Sequence, residues 1–410
     1  MFRNVKRVNV LTICGIFIFL LFCSSNIIKY SVDIDSPHQH IEQIEISKFN
    51  TTKFRIQRTQ SSNILFHDAV TKQWDRIKEE MRSFEYPTWP NQSARELEDF
   101  TLETGGIPIR SIVITKSRSG SSFLGDILNS VPGTFYNFEP LFMLHKTIIR
   151  NEGDFRASLA LSNIRKLLQC DYSGAGIRVH LKVSKEIPFV KKNTRFWRLC
   201  EEYPKFCWRS DFHSEICRLF PLQSMKIIRL PLLIAGKLLD DLDLNVRIAY
   251  LIRDPRGVLQ SRKHQDWCTG KLHCDDPSTV CGDLVADYNA AQLLHKMYPD
   301  RFRVVRYEDL CLNPYEVTTE ILKFYGLPSM DPEVVKFLES HTKVRIGNGF
   351  STYRDTKSAP FHWIKDLSYE EIDTIQRGCT KAMALWGYQK AINSSILSSK
   401  FDPLLPFSLT

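Results

Sequence analysis

The segment from Ile107 to Ser130 constrains the fold more than any other. IPIRSIVIT is a short run rich in β-branched residues, and it predicts a buried strand. A Ser/Gly loop follows from Lys116 to Ser122, and FLGDILNS then predicts a helix. A strand entering such a loop and a helix leaving it aim several backbone N–H groups at one point, which is an anion site. Gly120 lets the backbone approach a ligand. Ser121 and Ser122 supply hydroxyls that cap the helix or donate to phosphate oxygens. Arg118 adds a fixed positive charge with a fork of donors. No glycine lies five residues before Gly120 and no lysine follows it, so the loop is not a Walker A loop. Hydrolysis of a magnesium nucleotide is not expected.

The texture after Ile107 repeats this alternation. Strands are predicted at GTFYNFE, VHLKVS, SMKIIRL, NVRIAYLIRD and RFRVVRYEDL. Helices are predicted at PLLIAGKLLDDL, PRGVLQSRKHQ, LVADYNAAQLLHKMY, NPYEVTTEILKFYG and PEVVKFLESH, with LSYEEIDTIQRGCTKAMALWGY closing the domain. Alternating strands and helices imply an α/β fold, a parallel sheet covered on both faces. Ligands of such sheets sit in the loops at the strand ends.

Before this domain, Val8 to Ile28 is a stretch of 21 residues without a charge. That length crosses a bilayer as a helix. Arg3, Lys6 and Arg7 precede it, which favours a cytosolic N-terminus and a lumenal remainder. A cleaved signal peptide is the other reading, and both send the chain into the secretory pathway. Tyr30 to about Gly105 is polar and irregular and reads as a stem or as an extension capping the fold. Ala69 to Phe84 within it is a helix candidate. Three acceptor triplets for glycans begin at Asn50, Asn91 and Asn393.

Of eleven cysteines, Cys14 and Cys23 lie in the apolar segment and nine remain. An oxidising lumen favours pairing. Nine is odd, so one is free or bridges two chains, which leaves a homo-oligomer, disulfide-linked or not, open. No C-x-x-C occurs, which disfavours zinc. The net charge of +9 includes four basic residues and no acid in the first thirty positions. The mild excess left over suits an anionic ligand in one basic cleft, and no pattern calls for nucleic acid.

A second motif, Arg253-Asp254-Pro255-Arg256-Gly257, follows the strand VRIAYLI, and Pro255 fits the first turn of a helix. Arg253 at the strand end and Ser261 two turns along can face one cleft and hold a second phosphate. In order, KSRSGSSFLG, FYNFEPL, LIRDPRGV with a later Ser-Arg, and YEDL resemble the Golgi carbohydrate sulfotransferases. The branch most resembled sulfates the 6-hydroxyl of galactose, N-acetylgalactosamine or N-acetylglucosamine, and the likeness runs from about Ile109 to Gly387.

The resemblance implies a P-loop-like sulfotransferase fold and 3′-phosphoadenosine-5′-phosphosulfate (PAPS) as donor, with a glycan as acceptor and no metal required. It assigns the 5′-phosphosulfate to Arg118, Ser119, Gly120, Ser121 and Ser122, and the 3′-phosphate to Arg253 and Ser261. Phe123 is placed against the adenine or, on the other reading, in the core. Arg354, Lys357 and Trp363 are weaker candidates in a later loop. Arg118 is expected beside the bridging oxygen, where charge develops. Glu139 is the expected base, with its pKa raised by partial burial; orienting Arg118 or binding sugar hydroxyls is its alternative role. Pro140 keeps Glu139 out of a helix. Many relatives carry His four residues after this Glu, where this chain has Met143, with His145 two residues on.

The expected organisation is a cytosolic tail over 1–7, a transmembrane signal anchor over 8–28, a stem over 29–105, a lumenal sulfotransferase domain over 106–395 and a tail over 396–410. The chain is then a single-pass type II protein of the Golgi membrane. Two rivals remain: a glycosyltransferase using Asp241-Leu242-Asp243 to hold a metal and a nucleotide sugar, and a binding protein without turnover.

Overall fold

The computed structural model describes residues 62–87, 93–142, 149–185, 191–327, 330–347, 351–394 and 401–409. Val8 to Ile28, Asn50, Asn91, Met143 and His145 lie outside them. Among the described residues no helix is long and apolar enough to cross a membrane. The chain divides at Leu65, and the unit described here is Leu65–Thr410.

Five strands form one parallel sheet in the order β2-β3-β1-β4-β5. They are β1 (Ile109–Thr115), β2 (Thr134–Phe138), β3 (Leu222–Ile227), β4 (Val246–Ile252) and β5 (Phe302–Arg306). Every residue of β1 is buried, as a β-branched central strand covered on both faces must be. The chain leaves β1 toward β2 and β3 on one side and then crosses to β4 and β5 on the other. The order reverses at β1, and a crevice opens there at the carboxyl ends of the strands.

Helix starts are written plainly in the sequence. Asp254-Pro255, Asp276-Pro277 and Asp331-Pro332 each put a carboxylate at the cap and a proline in the first turn. Each aspartate accepts a backbone N–H from the turn it caps. Ser368 and Glu371 form a capping box for the closing helix Tyr369–Leu385. Cys281 and Cys379 join that helix to Pro277–Met297. The other bridges are Cys170–Cys217, Cys200–Cys207 and Cys268–Cys274. The ninth cysteine, Cys311, is free and only 1% exposed, so it does not bridge two chains.

Several expectations need correction. VHLKVS lies in the helix Ala175–Ser184, whose buried face carries Ile177 and Leu181, four residues apart, while Val179 is exposed. YEDL starts a helix, Tyr307–Leu312, and does not extend β5. Helices Phe155–Leu168, Thr194–Glu202 and Ser210–Arg218 went unread. The stretch expected as a stem is folded from Leu65 onward. A helix ends at 80, Ala69 and Ile77 are fully buried, and Phe100 joins the same core, which is the capping extension and not a free stem. The C-terminal tail also returns to the fold, through a bridge between Tyr388 and Leu404 and packing of Phe407 on Trp386.

Candidate active site

All five strands run parallel, so the residues that follow them gather at one edge. Arg118 follows β1, Glu139 follows β2, Arg253 follows β4 and Tyr307 follows β5. Lys226 is the penultimate residue of β3, and Arg229 lies two residues beyond it.

Loop Lys116–Gly120 is held from behind. Arg262, 1% exposed, donates through Nε and Nη2 to the Ser117 carbonyl and through Nη1 to the Cys274 carbonyl. Lys116 turns away into an ion pair with Asp287. Gly120 has φ +84°, and a Cβ there would lie 2.1 Å from the Tyr307 ring. Glycine is therefore required twice, by backbone conformation and by contact. It leads into the helix Ser121–Ser130.

The two motifs meet. Arg118 Nε donates to Ser261 Oγ at 2.9 Å, and Arg253 Nη1 donates to the Arg118 carbonyl at 2.9 Å. The Arg253 guanidinium lies 4.9 Å from the Tyr307 ring centre. Arg253 is buried and makes no ion pair among the described residues, and its Nε has no hydrogen-bond partner. Burial, then the charges of Arg354 and Arg253, push the Arg118 pKa down to about 10, which leaves it protonated at neutral pH. Arg354 is likewise lowered, by burial first and in part by Arg253. A third guanidinium thus belongs to this cluster.

Glu139 is only slightly exposed, with its carboxylate between two cations. Lys226 Nζ donates to Oε1 at 2.7 Å and Arg229 Nη1 to Oε2 at 3.1 Å. Lys226 Nζ is also 3.4 Å from Ser122 Oγ and 3.9 Å from the Phe138 ring centre. Burial alone would raise the Glu139 carboxyl. The two cations and their hydrogen bonds outweigh it and hold the group below the ordinary carboxylate range. This corrects the expected raised pKa. Glu139 has φ +46° and Arg118 φ +70°, two of four non-glycine residues with positive φ among the described residues. Backbone strain of this kind concentrates at functional sites.

Other candidates settle differently. Phe123 is 5% exposed and packs 6.1 Å from Phe337, so its side chain lies in the core. Trp363 is fully buried under the Arg256 guanidinium, and Lys357 is exposed. Asp241 precedes β4, at the sheet edge opposite the cluster, and pairs with Arg165. Sequence reading missed Lys226 and Arg229. Their one signal was a charged residue near the end of a strand that is otherwise buried. It also missed Glu308, which accepts the Asp254 N–H at 3.0 Å and the Tyr388 hydroxyl at 2.9 Å.

A parallel sheet with a phosphate-type loop and an arginine cluster at its switch point is the setting of a site for an anionic ligand. The chain matches the sulfotransferase domain family over residues 108–387, and it belongs to that family. It is an enzyme of the sulfotransferase class. It is 27% identical to mouse (Mus musculus) carbohydrate sulfotransferase 1, over 68% of this chain and 79% of that one. It is 28% identical to carbohydrate sulfotransferase 3 of Tetronarce californica, over 72% and 76% of the two chains. With mouse carbohydrate sulfotransferase 5 it shares 27% identity, over 73% and 86%. Among solved structures, mouse sulfotransferase SULT7A1 complexed with PAP aligns at a TM-score of 0.35 and 12% identity, over 70% of this chain and 87% of that one.

Proposed function

We propose that the chain transfers a sulfuryl group from PAPS to a sugar hydroxyl, the 6-hydroxyl of galactose, N-acetylgalactosamine or N-acetylglucosamine. One observation carries this reading. Arg118, Arg253 and Arg354 lie close enough to oppose one another's charge, and Arg253 makes no direct ion pair among the described residues and leaves its Nε without a hydrogen-bond partner. Such a cluster is stabilised by an anion of several charges. The residues fit a nucleotide with phosphates at both ends, and the curated relatives bear the name carbohydrate sulfotransferase.

In this reading Arg118 and the N–H groups of Ser119 to Ser122 hold the 5′-phosphosulfate, and Arg253, Ser261 and Arg354 hold the 3′-phosphate. PAPS supplies the sulfuryl group. Transfer resembles phosphoryl transfer, with nucleophile and leaving group in line and charge growing on the leaving oxygen. Arg118 and Lys226 are the cations that meet that charge. Glu139 receives the acceptor proton. Its two cations cost it basicity but keep it ionised at neutral pH, so it accepts a proton without first losing one.

The chain acts as a type II protein of the Golgi membrane, anchored by Val8 to Ile28 with its domain in the lumen. Four disulfides and an exposed Asn393 are consistent with that compartment.

The test is incubation with sulfate-labelled PAPS and desulfated chondroitin, keratan and N-acetylglucosamine-ended oligosaccharides. Label is expected at a 6-hydroxyl, reduced about two to three orders of magnitude in Arg118→Ala and in Glu139→Ala. PAP binding should weaken in Arg118→Ala and persist in Glu139→Ala. Absence of label from every glycan overturns the proposal.

A further inference from the structure

A second hollow opens beside Glu139, and its chemistry is opposite to that of the arginine cluster. It lies along β2, the edge strand of the sheet, where helices Thr194–Glu202 and Ser210–Arg218 also reach it. Phe138 and Pro140, the chain neighbours of Glu139, both line it. The Phe138 ring is thus a wall shared with the charged cluster, since Lys226 Nζ lies against it.

No Asp, Glu, Lys or Arg lines the hollow among the described residues. His213, which does, is 5% exposed, and burial pushes its pKa down to about 4, so the ring is neutral. Trp197 contributes an aromatic surface. Asn193 is also 5% exposed. Its Oδ1 caps a helix by accepting the Phe196 N–H at 3.1 Å, but its Nδ2 has no partner. A buried amide donor without an acceptor is costly, and it asks for a ligand oxygen. The enclosed part measures about 50 Å³, where a water needs roughly 10–15 Å³, so it takes a few waters or one small substituent. The mouth is open to solvent, so a sugar ring can lie across it with one substituent inside.

We propose that this hollow takes one neutral substituent of the acceptor sugar, its oxygen on Asn193 Nδ2, with the ring lying across the mouth. The inference rests on the reading of the chain as a sugar sulfotransferase and adds where the sugar lies. An aromatic wall suits the C–H face of a pyranose, and an amide suits a hydroxyl or acetamido oxygen. A neutral residue suits this lining better than a uronate or sulfated one, because no charged side chain lines the hollow among the described residues, while Lys226 and Lys191 lie against the rings of Phe138 and Trp197. Donor and acceptor then occupy two compartments of opposite character that meet at Glu139.

Two variants test this in the full chain with the oligosaccharide panel above. Asn193→Asp keeps the helix cap and removes the unpartnered donor. Leu181→Phe adds bulk to a residue lining the hollow. Both should raise acceptor KM at least tenfold, with donor KM and PAP affinity within twofold and with unfolding temperatures that report an intact fold. An acceptor KM within twofold of the unmodified enzyme in both variants overturns the subsite and leaves sugar sulfation standing. No turnover by the unmodified enzyme on any glycan overturns both.

Discussion

Lys226 and Glu139 meet across the ends of two neighbouring strands, the lysine Nζ donating to the glutamate Oε1 at 2.7 Å with both groups almost wholly buried. Removing one partner of such a pair leaves the other charge in a poorly solvated place, at a cost of about 3–5 kcal/mol. Arg229 still reaches Glu139, so Lys226→Met should fall at the lower end of that range. The double variant Lys226→Met with Glu139→Gln should regain only part of the stability, because no unpaired carboxylate remains but Arg229 loses its partner. Neither should regain activity, which is expected to drop by about two orders of magnitude or more. Denaturant unfolding and initial rates measure the two effects separately. A double variant no more stable than the single one would assign the lysine to packing over Phe138.

Gly120 carries the second prediction. Its φ of +84° disfavours any side chain, and a Cβ would meet the Tyr307 ring, a large group that is itself buried. Gly120→Ala should lose about 1–3 kcal/mol. The loop must shift to relieve the contact, so PAP affinity should fall with stability. Thermal unfolding and calorimetric titration with PAP read the two effects. An alanine variant with unchanged PAP affinity would show that the loop relaxes without moving its N–H groups.

The third prediction concerns the disulfide between Cys281 and Cys379. It closes a loop with a sequence separation of 98 and joins two helices, Pro277–Met297 and Tyr369–Leu385, that pack on each other. Replacing both cysteines by serine should cost about 2–5 kcal/mol. Cys311, buried beside Tyr307, should resist alkylation in the native protein and react after unfolding. Peptide mapping without reduction checks both the pairing and the free thiol.

How far the site could be read from the chain depends on where each part of it is written. Arg118, Gly120, Arg253 and Ser261 lie in short contiguous motifs with strong local punctuation, so the loop, the capped helix and their phosphate chemistry were legible. Their contact, Arg118 Nε on Ser261 Oγ, joins residues 143 positions apart, and only motif order hinted at it. Lys226 was not legible, because a lysine in SMKIIRL reads like any strand-end charge until the register sets β3 beside β2. The pKa of Glu139 was misread for the same reason. Burial was foreseeable from the chain, and the two cations that outweigh it come from another strand. VHLKVS alternates as a strand does yet lies in helix Ala175–Ser184, because a short alternating run fits both periods.

Glu308 gives the last prediction, on pH. It is fully buried. Burial, and then the charge of Asp254, raise its pKa from the ordinary 4.5 to about 7. Its carboxyl holds the Asp254 N–H, directly beside Arg253, and so helps fix the strand end that carries that arginine. Between about pH 4.5 and 7 the folded chain therefore binds more protons at this group than the unfolded chain does. Stability must then fall as pH rises through that window, by as much as roughly 3 kcal/mol if this group acted alone. Glu139 works with the opposite sign. Its pKa is lowered on folding, so its stabilisation is present above the ordinary carboxylate pKa and is lost as pH falls through the depressed value. The two groups together predict greatest stability in mildly acidic solution. Glu308→Gln keeps an acceptor for the Asp254 N–H and has no proton to lose, so the decline from about pH 5 to 7 should flatten in it. Urea unfolding of both proteins at pH 5, 6, 7 and 8 decides the matter, and parallel curves for the two would show that Glu308 is not the group whose titration weakens the fold.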